Sequence, residues 1–280
     1  MAKGNRISRK RAVGLFCAIV LVSAVIVVTL APYIWMLLMS FRTRRDIRMN
    51  PGRFLPAKWV LSGYTTVLTK APFFSWLRNS LIVTFTVTCA VLFTSSIAGY
   101  VFAKFRFRGK TALFWILIAT MMAPSQVSLI PSFLIINALG LYNTLHALII
   151  PMLVSAFGIF LCRQFCGDIP DSLCEAAWID GASSFCIYAR VIVPLLRPCL
   201  AALAIFAFLA SWNEYLMPLI MIEQTKNMTL PVALSYFTGA HANDTGAVLA
   251  AAALITLPVT ALFLALQKQF VKGITLTGMK

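Results

Sequence analysis

The sequence predicts an all-α polytopic membrane protein with six transmembrane helices. Of its 280 residues, 60% are hydrophobic and only 11% are charged, against about 25% charged in soluble domains. Long stretches carry no charge at all: 12–41, 79–103, 111–162 and 245–267. Roughly 20 apolar residues suffice to cross the hydrocarbon core as a helix. The lysines and arginines fall between those runs, as expected of a chain that crosses a bilayer repeatedly.

The spans follow in order. The first, near 12–40, lies behind MAKGNRISRKR. That basic start resembles a signal peptide, but a signal core is about 7–15 residues long, so a retained anchor is expected. The second lies near 80–103. The run 111–162 is too long for one helix and breaks at NALGLYNT, residues 137–144, where Gly and Asn punctuate the chain. This gives spans near 112–136 and 145–162. The fifth, near 198–222, is interrupted only by Glu214, and the sixth occupies 246–267. Residues 1–280 are therefore expected to form one transmembrane domain, with a loop at 163–197.

Charge sets the expected orientation. With the amino terminus inside, the inner segments hold fifteen of the 24 Lys and Arg, so both termini are placed on the cytoplasmic side. The basic outer segment 42–78, with eight of the remaining nine, departs from that rule. Anionic lipid accounts for scattered cations at membrane ends, so the net charge of +16 does not imply nucleic-acid binding.

Several chemistries are excluded. RGKT at 108–111 ends like a phosphate-binding loop, but the required glycine is replaced by Lys104 and a span precedes it. Cys162 and Cys166 share a helical face without a histidine nearby, and are read as small buried hydrophobes rather than metal ligands. Asn227 and Asn243 head glycosylation sequons in a segment expected outside. No nucleophile–base set or carboxylate pair is visible, so no catalytic, metal or cofactor-binding residue is assigned and the chain is not expected to be an enzyme.

The loop 163–197 is different. It holds Asp168, Asp171, Glu175 and Asp180, half of the eight acidic residues. Pro170 suits a first helical turn, and Asp168 or Asp171 suits a helix start. Gly181 suits a left-handed stop. A helix near 170–180 is expected, with a second starting by Ser183 or Ser184 and ending before Pro194. At 100° per residue Leu173, Ala176 and Ala177 share one face, with Asp180 at its edge; Trp178 and Ile179 lie opposite and flank Glu175. A surface helix needs one apolar face only. Two such faces suggest burial between this bundle and a second protein, the alternative being a loop packed on its own spans.

Glu175-Ala176-Ala177, three residues, Gly181, nine residues, then Val191-Ile192-Val193-Pro194 resembles the EAA loop of ABC importer permeases. Val191 and Val193 replace Ile and Leu of the family pattern. The longer IPDSLCEAAWIDGAS is similar to the carbohydrate-importer branch, as are SFRTRRDI, FRFRGK, LGLYNTLHALIIP, SWNEYLMPL and QKQFVKGITLTG. The whole chain most resembles the maltose-type second permease subunit. The resemblance implies a type I ABC importer permease fold in a bacterial or archaeal cytoplasmic membrane. It implies four partners beside membrane lipid: a second permease, two ATPase subunits and an extracytoplasmic sugar-binding protein. Glu175, Ala176, Ala177, Asp180 and Gly181 would form the coupling helix seated on one ATPase, which holds the ATP and Mg2+. The tail around Lys272 and Gly273 would reach the ATPase dimer.

Within span five, Trp212, Asn213, Glu214 and Tyr215 bring an indole, an amide, a carboxylate and a phenol together. An acid at depth should face the bundle interior or water, and this set suits a sugar pathway or gate. Two other readings stay open: a cap or cross-link between helices, and a proton relay. The last would fit a secondary transporter or channel acting alone, although no internal repeat of the kind such proteins show is evident.

Overall fold

The computed structural model describes residues 9–240 and 244–277, and among these the regular structure is helical with no strand. The chain divides into two compact units, Met1–Ala71 with Phe237–Leu254 and Pro72–Tyr236 with Ile255–Lys280.

In the first unit, α1 (Arg9–Ser40) is followed by two short helices, α2 (Arg44–Met49) and α3 (Ser62–Lys70). The most apolar stretch of α1, within Gly14–Ser40, is left uncovered by this chain, and burial begins only at Met39 and Ser40 at its end. The basic segment after it is organised by Arg42, which is 1% exposed. Its guanidinium donates to the Asp46 carboxylate and to the carbonyls of Asp46, Asn50 and Arg53, at 2.7–2.9 Å. Helix α3 lies backbone-to-backbone on residues 245–250: a Cβ on Gly63 would sit 2.7 Å from the Gly246 carbonyl oxygen.

The second unit is built on α4 (Phe73–Lys104). After α5 (Lys110–Thr120), α6 (Leu129–Ala138) and α7 (Leu145–Ile149), α8 (Ala156–Asp168) packs along α4. Two glycines make that seam. A Cβ on Gly99 would strike Cys162, and one on Gly158 would strike Ser95. Small residues that let helix backbones approach are the usual basis of helix pairing in lipid. Next come α9 (Asp171–Ile179), α10 (Ser184–Ile187), a π-helical turn at Tyr188–Ile192 and α11 (Val193–Leu195). The return helix α12 (Arg197–Trp212) also packs on α4, with Phe85 edge-on to Phe208 at 5.9 Å. Helix α13 (Leu216–Met221) follows it; α14 (Leu230–Ala240) and α15 (Thr245–Thr277) contribute residues to both units.

The fold class is the expected one, but six continuous spans are not found. Among the described residues four helical stretches are long and apolar enough to cross a membrane: Gly14–Ser40, Phe73–Lys104, Leu145–Asp168 and Thr245–Leu262. A fifth arises if Ser184–Leu195 and Arg197–Trp212, bent by 79°, form one span. The third expected span is divided between α5 and α6 by a break ahead of Pro124, whose ring disfavours helix in the preceding residue. The fifth stops at Trp212 and restarts at Leu216. Pro218 explains the restart, because its missing N–H is tolerated in the first turn of α13 and would break a continuous helix. The second span begins at Phe73 rather than near 80, since Arg78 at a helix end can extend its charge to the interface.

Candidate functional site

The 163–197 loop folds as its local signals direct, and tertiary contacts then decide which face it shows. Asp171 occupies the first turn of α9, where a carboxylate complements the helix dipole. At the other end the Gly181 amide donates to Trp178 O at 3.0 Å and the Ala182 amide to Ala177 O at 2.9 Å. Gly181 has φ +78°, so this paired stop requires the left-handed conformation that glycine adopts without a Cβ penalty. Ser183 then caps α10, accepting from the Cys186 amide at 3.3 Å. The second helix does not end before Pro194 as expected. It passes through the π-helical turn into α11, because Pro194 falls in the first turn of that short helix.

The bundle does not simply cover one of the two apolar faces read from the sequence. Cys174 is buried and Ala177 half-buried, whereas Leu173 is 45% exposed. The reason is tertiary: Lys104, the last residue of α4, donates through Nζ to the Ile169 carbonyl and to Asp171 Oδ1. With that contact made, Cys174 faces inward, and burial pushes its thiol up. The Lys104 ammonium holds the Asp171 carboxyl below the usual range. Trp178 at 51% and Ile179 at 87% remain exposed beside Glu175, itself exposed, and Phe185 on α10 is 67% exposed. Hollows of about 480 Å³ and about 370 Å³ flank the helix. Tyr100, Arg106, Glu175 and Trp178 line the first, and Ala177, Asp180, Gly181 and Arg190 the second. The loop returns to the bundle through Tyr188, whose hydroxyl bonds that of Ser96 at 2.7 Å.

The polar set around Glu214 is scattered rather than convergent. Trp212 is 2% exposed and stacks on Phe208 at 5.6 Å, so its ring belongs to the interior. Asn213 is exposed in the break. Glu214 is half-buried, and its Oε1 accepts from the Met217 amide at 3.0 Å, capping α13. The Tyr215 hydroxyl meets that of Ser235 at 3.1 Å. The helix-cap reading of Glu214 is thus present in the structure.

One cluster was not singled out from the sequence. Asn143 has φ +59°, the left-handed region that a short amide tolerates. Its Oδ1 accepts from the amides of Glu223 and Gln224 at 3.1 and 3.0 Å, and its own amide donates to Met221 O at 2.9 Å. Asn227 Nδ2 donates to Asn143 O at 2.8 Å. Trp76 and Asn79 hold the same segment, donating to Thr225 O and Lys226 O at 2.7 and 2.8 Å. The Asn227 amide is therefore engaged in packing. Asn243 lies outside the described residues, as do the side chains near Lys272 and Gly273. The only sequence signal for this clasp was the Asn in NALGLYNT, legible as a turn former without its distant partners.

Among the described residues no three His, Cys, Asp or Glu side chains gather as a metal site, and Cys162 and Cys166 are fully buried in the α4–α8 seam.

Comparison with known proteins places the chain in a family. Residues 92–276 match the family model described as binding-protein-dependent transport system inner membrane component. The chain is 30% identical over 89% of its length to the arabinooligosaccharides transport system permease protein of Halalkalibacterium halodurans, covering 90% of that protein. It is 32% identical over 86% of its length to the lactose transport system permease protein of Rhizobium radiobacter, covering 88% of it. Among solved structures it is similar to a chain of a bacterial ABC transporter involved in the import of the acidic polysaccharide alginate, with TM-score 0.83 and 26% identity over 95% of this chain and 100% of that one.

Proposed function

The chain belongs to the family of binding-protein-dependent transport system inner membrane components, and from that premise we propose that it forms half of the translocation pathway of an ATP-driven sugar importer. It is a permease component, not an enzyme. The names of its relatives support a sugar or sugar-like solute. A second, similar permease completes the pathway, and an extracytoplasmic binding protein delivers the solute. Two ATPase subunits hold the ATP and Mg2+. The chain sits in the cytoplasmic membrane with both termini inside.

Helix α9 is the ATPase dock, with Glu175, Ala176, Ala177, Asp180 and Gly181 as its coupling residues. The observation that carries this is exposure. Trp178 and Ile179 stand uncovered beside Glu175, and Leu173 on the opposite face, on a short helix whose two ends are fixed. Apolar side chains so displayed mark an interface. The neighbouring carboxylates suit a partly basic groove. Closure of the ATPase dimer moves α9, and the spans rock between inward- and outward-facing states. Asn213, Glu214 and Tyr215 lie at the break of the α12–α13 span and line the pathway or its gate, with Trp212 behind them. A transporter acting alone through Glu214 is not favoured, because that carboxylate already caps α13.

The test is assembly and coupling. The purified importer should contain an ATPase whose hydrolysis rises with the loaded binding protein. Glu175→Lys or Gly181→Pro should abolish ATP-driven uptake while leaving membrane insertion intact. Uptake by this chain alone down an ion gradient would sink the reading.

A further inference from the structure

Three helix ends meet at one ammonium group. Lys104 is the last residue of α4; Ile169, whose carbonyl it binds, is the C-cap of α8; Asp171, whose carboxylate it binds, is the first residue of α9. The cation faces the negative dipole ends of α4 and α8 and the acid that opens α9. The Lys104 side chain is 9% exposed, while that of Asp171 is 77% exposed. An ion pair that open to water contributes little stability. Its value is therefore geometric.

The geometry matters because this contact holds the amino-terminal end of α9, whereas the other end is held through α10 and Tyr188. Only Ile169 and Pro170 separate it from α8, both in extended conformation with ψ 125° and 134°. Proline fixes its own φ and restricts Ile169 to extended backbone, so the freedom of α9 to swing against α8 is concentrated at the ψ of Pro170, between the two groups that Lys104 binds. Beyond Lys104, the side chain of α9 that is buried against the bundle is Cys174. The structure on the far side of the pair is stiff. Gly99 against Cys162 and Gly158 against Ser95 lock α4 to α8, and Ser211 reaches Thr84 at 3.5 Å to include α12. A displacement delivered to α4 at Lys104 is thus delivered to all three helices.

We propose that Lys104 is the positioning residue that converts movement of α9 into movement of the α4–α8 pair, by clamping the Ile169–Pro170 pivot. The inference rests on the docking reading of α9 given above. Without the clamp, ATPase closure spends its motion on the pivot, and hydrolysis continues while the spans stay behind.

The experiment uses the assembled importer with its ATPases and binding protein in proteoliposomes. Radiolabelled arabino-oligosaccharide and lactose serve as the first probes of uptake, and solute moved per ATP hydrolysed is the readout. Lys104→Met should lower that ratio at least tenfold while basal hydrolysis stays within twofold of the parent. Lys104→Arg should restore most of it, since a guanidinium can reach both oxygens. Asp171→Asn, on an exposed side chain that does not threaten folding, should lower the ratio severalfold. An unchanged ratio in Lys104→Met with full assembly overturns the proposal. So does a parallel fall of uptake and hydrolysis with loss of the ATPase, which would make Lys104 merely structural. Glu175→Lys separates the two readings: if it leaves ATPase association and uptake intact, the docking site is wrong, whatever Lys104 does.

Discussion

The 163–197 loop and the clasp around Asn143 answer the same physical problem in opposite ways. Both connect long helices of one unit. In the clasp, polar groups are satisfied within the chain: Asn143, Asn227, Trp76 and Asn79 close on backbone partners about eighty or more positions away. In the loop, the ends of α9 are satisfied, but Trp178, Ile179 and Phe185 are left uncovered. A segment that closes on itself serves as a platform. A segment with fixed ends and bare apolar side chains is shaped for something outside the chain. The difference lies in where the missing contacts are found, and it can be measured.

The largest effect is expected in the clasp. Asn143→Ala removes two hydrogen bonds, each worth about 0.5–1.5 kcal/mol net, together with the short polar side chain that tolerates the left-handed region. Local stability should fall by about 1–3 kcal/mol from the hydrogen bonds alone, read as faster hydrogen exchange of the amides at 223–230. Unchanged exchange there would dissolve the contrast. In the loop, Ile179→Asp should leave the stability of the isolated chain within about 0.5 kcal/mol. It should weaken ATPase association by about 2 kcal/mol, the scale of an interface hot spot, measured by titrating the ATPase onto the permease pair. Loss of chain stability without loss of association would mean that Ile179 packs on its own bundle.

Smaller effects sharpen the picture of the loop ends. Ser183→Ala should cost about 1 kcal/mol of local helix stability by removing the cap on the Cys186 amide, seen as fraying of α10 by exchange. The pH response should be smallest. The Asp171 carboxyl is depressed by Lys104, so its contribution is present above the ordinary Asp value near about 3.9 and is lost as pH falls through the depressed one. Protection of α9, corrected for intrinsic exchange rates, should stay flat from about pH 8 to pH 5 and fall only below about pH 4. Loss already at pH 6 would show that some other group holds the helix.

Much of this was readable in the chain itself. The uncharged runs located the spans, Gly181 located the stop of α9, and the spacing of Glu175-Ala176-Ala177 with Gly181 pointed to the family later matched over residues 92–276. These signals are local. They depend on side chains within a helical turn or two, or on total apolarity over a bilayer's width, and no distant contact overrides them. The breaks of the third and fifth spans went unread because hydropathy summed over a bilayer's width averages over the local effects of Pro124 and Pro218. Tertiary structure alone decided the rest. It turned Cys174 rather than Leu173 inward, where a lysine 67 positions away holds Asp171. It made Asn143 a hub for residues 80 and 81 positions further on. Periodicity gives the faces of a helix; which face is covered depends on neighbours that only the folded chain brings near.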